Sequence, residues 1–308
     1  MRDAFAKEMT ELAGWMHNLV LLSGDIGNRM FDNFKDIAPE RFINCGIAEA
    51  NMMSMACGMA LSGLRPVVYT IAPFTTTRCF EQIRVGAAYH EAPVVIVGTG
   101  AGLSYAELGP THHSLEDIAI LRSLPGFNVL APADSSELVD QLREALQAKG
   151  PSYIRIGKKG EPILHNKENS MGIGKANMLR EGRDVLVIGI GPIISEAIDA
   201  ASALESEGYS IAIASLGSIK PLDINFLQEM RSKHKLWITV EEHSCTGGMG
   251  SALMEWLEEE EIYDIRLRRI GTPDRFINIL GNQSYTRAAL GLNSHGIANK
   301  IRIELRNG

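Results

Sequence analysis

The chain has 308 residues, of which 45% are hydrophobic and 22% charged, the composition of a soluble globular protein large enough for two domains. A formal net charge of -7 and an isoelectric point near 5.7 do not favour binding to nucleic acids or to membrane surfaces. The sequence shows no signal peptide, no apolar run of about 18 residues and no CxxC spacing among its cysteines. It therefore predicts a cytoplasmic protein without a zinc site or a disulfide framework.

Helix-like and strand-like segments alternate through the first half of the chain. A helical period over residues 3–17 precedes the apolar strand NLVLLSGD, and the strand PSYIRIG closes this half. Between them we predict a helix beginning at Glu49, strands at 66–71, 92–100 and 127–130, and helices at 78–90, 116–124 and 135–148. Strict alternation of this kind predicts a parallel sheet that is covered by helices on both faces.

The alternation is interrupted once and then resumes. Residues 157–182 are polar, rich in Gly and Lys and without a sustained period, which predicts a linker at 161–182 between a first domain at 1–160 and a second α/β domain at 183–308. Near the end of a predicted strand, the segment 241–243 (EEH) has two interpretations, a subunit interface or a solvated face.

One carboxylate stands out at the beginning of an apolar helix, in the stretch NCGIAEANMMSMACGMALSG (44–63). Glu49 is flanked by Ile47 and Met52, and burying an unpaired charge costs several kcal/mol unless the group is protonated or paired. The alternative is an ordinary acidic residue in the first turn, facing the positive end of the helix dipole.

The loop GTGAGLSYAELGPTHHS (98–114) is the second feature that indicates a site. It is rich in glycine, contains adjacent histidines and follows a predicted strand, where sites in parallel α/β sheets are found.

Two other segments resemble known binding motifs but do not match them. GIGPIIS (189–195) has Ile where a dinucleotide fingerprint needs a small residue, and SGDIGN (23–28) lacks the second glycine of a magnesium diphosphate motif.

Several motifs, in one order, resemble the C-terminal half of a transketolase of the kind encoded as two polypeptides. GIAEANMMSMACGMALSGLRPVV resembles the family's glutamate helix, FTTTRCFEQIR its aromatic-and-arginine turn, and ELGPTHHSLEDIAILRSLPGFNVLAPAD its substrate loop. LGSIKPLD and EEHSCTGGMGSA resemble its C-terminal domain. The resemblance implies an α/β chain with a parallel-sheet thiamin diphosphate pyrimidine-binding domain and a transketolase C-terminal-type α/β domain.

The resemblance also implies residues for the cofactor. Glu49 matches the glutamate that hydrogen-bonds the ring nitrogen N1′, a role in which it must be protonated or share a proton near pH 7. Phe74 matches an aromatic residue that stacks on the pyrimidine, with a plain core Phe as the alternative. Asp25, with its neighbour Ile26, matches a strand-end acid near the thiazolium.

For the substrate, the matches come with departures. His112 matches the histidine that faces the reacting carbon and can move protons. His113 replaces a usual glutamine, Leu108 an aspartate that reads a donor hydroxyl, and Gly100 a second substrate-binding histidine. Loss of such polar contacts changes preference by a few kcal/mol, so we expect substrates other than the usual pentose and hexose phosphates.

Three arginines match positions that contact the far phosphate of the substrate: Arg78, Arg155 and Arg2. Planar guanidinium groups suit that role, and structural salt bridges are the alternative for Arg78 and Arg155. The family's diphosphate motif is absent from this chain. The resemblance thus implies an N-terminal partner subunit that holds the diphosphate and Mg²⁺, in an α2β2 heterotetramer self-associating through the pyrimidine domain.

The leading hypothesis is an enzyme subunit, active only with its partner, that transfers a two-carbon ketol unit from a ketose to an aldehyde or aldose. One alternative is a thiamin diphosphate enzyme that decarboxylates a 2-oxo acid, of the deoxyxylulose phosphate synthase type or a dehydrogenase β subunit. Another is a non-catalytic scaffold, which would need none of Glu49, Phe74 and His112.

Overall fold

The computed structural model describes residues 1–27, 29–165 and 171–307, which form two β-sheets with flanking helices. In these residues the strands are β1 (Leu19–Ser23), β2 (Phe42–Asn44), β3 (Arg65–Ile71), β4 (Val95–Thr99), β5 (Asn128–Leu130), β6 (Ser152–Ile156), β7 (Asn177–Arg180), β8 (Val185–Gly189), β9 (Ile211–Ser215), β10 (Ser218–Lys220), β11 (Leu236–Ser244) and β12 (Arg266–Thr272). The α-helices are α1 (Arg2–Ala13), α2 (Asp32–Ile37), α3 (Glu49–Leu61), α4 (Ala72–Thr75), α5 (Asp117–Arg122), α6 (Ser135–Gln147), α7 (Ile194–Glu205), α8 (Ile224–Lys233), α9 (Met249–Glu259), α10 (Gln283–Leu290) and α11 (Ser294–Arg306).

The first sheet has the strand order β10-β5-β6-β4-β3-β1-β2, and every pairing is parallel except that of β10 with β5. Alternate residues of β1 enter two different cores: Val20 and Leu22 pack with residues of α3, whereas Leu19 and Leu21 pack with residues of α1 and α6. Because both faces are covered, the strands are apolar on both sides. This confirms the predicted parallel sheet between helices.

The second sheet has the order β12-β11-β8-β9-β7 and is parallel except for the edge strand β7. Its wholly buried strands β8 and β9 pack against α7 and α11. A second α/β unit was predicted and is confirmed. Among the described helices, none combines the length and the apolar character needed to cross a lipid bilayer.

Three short strands were not predicted: β2, β7 and β10. Strand β7 lies inside the proposed linker 161–182, of which residues 166–170 lie outside the described residues, as does residue 308 of the proposed second domain. Strand β10 returns from the second half of the chain to the edge of the first sheet. Segments of three or four residues carry too little periodicity to be detected in the sequence. The domain boundaries stay a prediction.

The predicted helix at 78–90 is also different in kind. The structure has a 3-10 turn at Thr77–Cys79 followed by a π-helix at Gln82–Tyr89. A Cβ atom at Gly86 would lie 2.9 Å from Sγ of Cys57, so the glycine permits this helix to pack closely on α3. Helices of the π type are rare and occur frequently at functional sites.

Candidate functional site

The candidate site lies at the carboxyl ends of three strands of the first sheet. Helix α3 follows β2, the short helix α4 follows β3, and the loop 100–116 follows β4. Because these strands run parallel in one sheet, the segments after them lie along the same edge of the sheet. The structure therefore brings together residues that are distant in sequence.

Glu49 is the first residue of α3 and is only 4% exposed. The preceding turn contains Gly46 in the left-handed region at φ 69°, where a side chain is unfavourable. The carboxylate has a partner that was not expected: Nη1 of Arg78 donates to Oε1 at 3.0 Å. The buried acid is thus half of an ion pair whose arginine side chain is 45% exposed.

Phe74, on α4, lies beside this ion pair. The guanidinium carbon of Arg78 lies 3.9 Å from the centre of the Phe74 ring, a cation–π contact. Arg78 therefore stacks on the aromatic face and donates to Glu49 at the same time. Its predicted contact with a substrate phosphate would require the side chain to turn away from both residues.

His112 completes the group from the loop after β4. Its ring centre lies 5.1 Å from that of Phe74 in an edge-to-face arrangement, and its Nδ1 lies 3.0 Å from the hydroxyl of Thr111. Burial lowers the pKa of His112, and the nearby charge of Arg78 lowers it further. The imidazole is thus neutral near pH 7 and suited to accept a proton.

His113 does not share this environment. Its side chain is buried at 5% exposure, and its Nε2 lies 3.4 Å from the carbonyl oxygen of Ala106. It also lines a cavity of about 350 Å³ with residues of the second domain, including Thr272 and Phe276. The structure therefore places His113 apart from His112, which differs from the predicted contact with substrate. Adjacent side chains in a turn point in different directions, and the sequence does not show which of the two histidines faces the candidate site.

Gly100 and Leu108 lie on the same loop as His112. Gly100 has φ 87°, and a Cβ atom there would lie 2.2 Å from Cε2 of Tyr105. Leu108 ends a 3-10 turn and is 51% exposed. Tyr105, which no sequence pattern singled out, thus occupies the space beside Gly100. Lys158 lies over its ring, with Nζ 4.4 Å from the centre.

Arg155 has a structural position instead of the predicted contact with the substrate's phosphate. It is 2% exposed; its Nε donates to Oδ2 of Asp117 at 2.8 Å, and its Nη2 donates to the carbonyl oxygens of Ser114 and Glu242. Tyr153 also donates to Oδ2 of Asp117, at 2.6 Å. The guanidinium group therefore donates its hydrogen bonds to acceptors inside the protein. They come from residues 38 to 87 positions away, which local sequence does not reveal.

The remaining predicted residues lie around this group. Asp25 follows β1 with φ 57° and accepts a hydrogen bond from Asn44 at 2.9 Å, and the neighbouring carbonyl of Ile26 accepts from Ser23 at 2.7 Å. Arg2 begins α1 and lines a cavity of about 630 Å³ together with Lys158. In the described part of the chain, no cluster of three or more His, Cys, Asp or Glu side chains is arranged to hold a metal ion.

The acidic pair of the second domain is neither solvated nor available to another subunit. Glu241 and Glu242 are 0% and 4% exposed. Glu242 accepts from the backbone nitrogen of Leu103 at 2.6 Å and pairs with Arg287, so it ties the loop 100–116 to the second domain. Glu241 accepts from the first turn of α9, and burial raises its pKa to about 7. In the sequence, the burial of these two acids was indicated only by their position in an apolar strand.

Comparison with known proteins places both units in one family. Residues 1–161 match the family described as "Transketolase, pyrimidine binding domain", and residues 174–297 match "Transketolase, C-terminal domain". A split-gene transketolase solved as an inactive β4 tetramer superimposes with a TM-score of 0.88 at 33% identity, over 99% of this chain and 97% of that one.

Two curated relatives align with nearly the whole of this chain. One of the subunits of an apulose-4-phosphate transketolase from Phocaeicola vulgatus is 34% identical over 96% of this chain and 94% of its own length. The 1-deoxy-D-xylulose-5-phosphate synthase of Dictyoglomus turgidum is 36% identical over 97% of this chain, which spans 48% of that protein. The chain therefore belongs to the transketolase family, as a two-domain chain that carries the pyrimidine-binding and the C-terminal domains.

Proposed function

We propose that this chain is the pyrimidine-binding subunit of a split transketolase, which transfers a two-carbon ketol unit from a ketose donor to an aldehyde or aldose acceptor with thiamin diphosphate as cofactor. The observation that carries the proposal is the convergence of Glu49, Phe74 and His112 at one sheet edge. A scaffold subunit has no use for a buried acid, an aromatic face and a neutral histidine in one place.

The residues present fit an aminopyrimidine. The face of Phe74 and the carboxylate of Glu49 already hold one planar group with N–H donors, the guanidinium of Arg78. An aminopyrimidine is likewise planar and offers hydrogen-bonding groups at its edge. Arg78 must leave this position when the cofactor binds, and its partly exposed side chain is then free to contact the anionic end of a substrate.

Each residue of the site then has a separate task. When bound, thiamin diphosphate supplies the carbon nucleophile that attacks the ketose carbonyl. Glu49 would hydrogen-bond N1′ and hold or share the proton there, Phe74 would stack on the pyrimidine, and Asp25 with Ile26 would contact the thiazolium. His112 accepts and returns the proton of a substrate hydroxyl, for which its lowered pKa keeps it neutral near pH 7.

A partner subunit is part of this function: it holds the diphosphate and Mg²⁺, in an α2β2 heterotetramer associating through the pyrimidine domain. The support is that the matching family domains are the pyrimidine-binding and C-terminal ones, and that the β4 tetramer of a similar split transketolase is inactive. A cofactor held at both ends loses most of its contacts when one chain is removed.

Calorimetric titration with thiamin diphosphate and Mg²⁺ tests this division. The isolated chain should bind at least about 100-fold more weakly than the chain assembled with a diphosphate-binding partner. Tight binding to the isolated chain would contradict the shared site. The assembled enzyme should form new ketoses from a ketose and an aldose; release of CO₂ from pyruvate without ketol transfer would favour the decarboxylating alternative.

Substrate preference should respond to Leu108. This side chain is 51% exposed, so an aspartate can be accommodated there. We expect Leu108→Asp to shift kcat/KM toward ordinary ketose phosphates by about 10- to 100-fold relative to the native donor. The matched control is Leu280→Asp, at a leucine that is 93% exposed in the second domain. Equal preferences in the two variants would refute a role of Leu108 in donor choice.

A further inference from the structure

We propose that Tyr105 is a specificity-determining residue, whose ring forms a wall of the substrate site beside His112 and Lys158. The inference rests on the proposed function. It assigns to Tyr105 the control of how long a carbon chain fits between the reacting carbon and the anionic end of the substrate.

The first observation is steric. A Cβ atom at Gly100 would lie 2.2 Å from Cε2 and 2.3 Å from Cδ2 of Tyr105, far inside van der Waals contact. The ring therefore takes the place of any side chain at residue 100. A tyrosine ring is wide and apolar on its faces, whereas the histidine that the family resemblance implies at residue 100 offers a hydrogen-bonding edge. With this backbone, the tyrosine ring at residue 105 and a histidine side chain at residue 100 cannot both be accommodated.

The second observation is the position of the ring. The ring centre lies 6.3 Å from that of His112, at an interplanar angle of 62°. Nζ of Lys158 lies 4.4 Å from the same ring centre. Lys158 in turn forms an ion pair of 2.8 Å with Glu107. Tyr105 thus lies beside both the proposed proton-transferring group and a cation.

This arrangement defines the kind of sugar that fits. A cation beside the ring, with His112 nearby, suits a sugar that carries a phosphate or another anionic group at the end opposite its carbonyl. A ring that fills the space beside Gly100 shortens the passage and excludes additional hydroxymethylene units. Rejection of one such unit by a packed apolar wall is worth about one to two orders of magnitude in binding.

The test compares Tyr105→Ala with Tyr105→Phe in the assembled holoenzyme. The probes are unreactive alditol phosphates with five and six carbons, ribitol 5-phosphate and sorbitol 6-phosphate, and the readout is the ratio of their dissociation constants. We expect Tyr105→Ala to move the ratio toward the longer probe by about tenfold and Tyr105→Phe to leave it within about twofold of the wild-type ratio. An unchanged ratio in Tyr105→Ala would overturn the inference.

The control variant is Tyr263→Ala, at a tyrosine that is 81% exposed in the second domain, and it should leave the ratio unchanged. Folding is monitored separately through a double-mutant cycle: loss of the ring should reduce the fall in Tm that Gly100→Ala causes, because the clash is relieved. If Gly100→Ala lowers Tm equally in the wild-type and the Tyr105→Ala backgrounds, the proposed steric clash between residue 100 and the ring is wrong. If the wild-type enzyme does not catalyse ketol transfer, the proposed function is contradicted instead. The ratio of the two dissociation constants does not depend on turnover, so the two outcomes can be distinguished.

Discussion

Glu49→Gln should lower kcat of the assembled enzyme by about 10²- to 10⁴-fold, the range in which a positioned proton-transferring group acts. Glutamine keeps the shape of the side chain but cannot hold and release a proton at N1′. The substitution also removes the negative charge that Arg78 contacts at 3.0 Å, so the arginine loses its ionic partner. Steady-state kinetics with a ketose donor, at saturating thiamin diphosphate, measures the effect.

A matched control is available on α1. Glu8 is also 4% exposed, and it pairs with Arg143 at 2.6 Å, an arginine whose side chain is 53% exposed. The two glutamates thus have the same burial and the same kind of partner, but Glu8 lies outside the candidate site. Glu8→Gln should leave kcat unchanged. If Glu49→Gln turns over at the same rate as Glu8→Gln, the proposed task of Glu49 is wrong.

Arg155→Met should destabilise the chain by about 3–5 kcal/mol, because it leaves the carboxylate of Asp117 buried without its cationic partner. Both side chains are nearly inaccessible, at 2% and 1% exposure. The guanidinium also binds the carbonyl oxygen of Glu242 at 2.8 Å, so its loss weakens the contact between the two domains. Urea denaturation followed by circular dichroism measures the change in the free energy of unfolding.

Two further variants separate a structural from a substrate-binding role of Arg155. Asp117→Asn combined with Arg155→Met should recover part of the lost stability, because no unpaired charge remains. Arg84→Met removes a guanidinium from an exposed pair with Glu81 and should have little effect. Normal stability of Arg155→Met together with a raised KM for phosphorylated sugars would restore the contact with substrate that the sequence suggested.

The fold follows from patterns that are local in sequence. Short apolar strands alternating with amphipathic helices can be buried only in a parallel sheet covered on both faces, and two such sheets are observed. The same logic explains why Glu49, Phe74 and His112 meet: each lies after a strand of the first sheet, and the carboxyl ends of its parallel strands share one edge. Their grouping in advance came from the family resemblance. Their tasks in catalysis are still proposals, for which the variants above are designed.

The partners of charged side chains could not be predicted in the same way. Whether Arg155 faces a substrate or the interior depends on Asp117 and on a carbonyl of the second domain, 38 and 87 residues away. Likewise, Arg78 is 29 residues from Glu49, and no periodic pattern links the two. Such pairs depend on how the elements pack in three dimensions, which hydrophobic periodicity does not specify.

By itself, the sequence determined the α/β architecture, the apolar helix that begins with an acid, and the glycine-rich loop with its histidines, because each is encoded within a few consecutive turns or strands. Only the tertiary structure decided that Arg78 covers Glu49, that Tyr105 fills the space beside Gly100 and that Arg155 is buried. These outcomes depend on long-range contacts. A buried charge or ring needs a partner, and here the partner comes from a distant part of the chain.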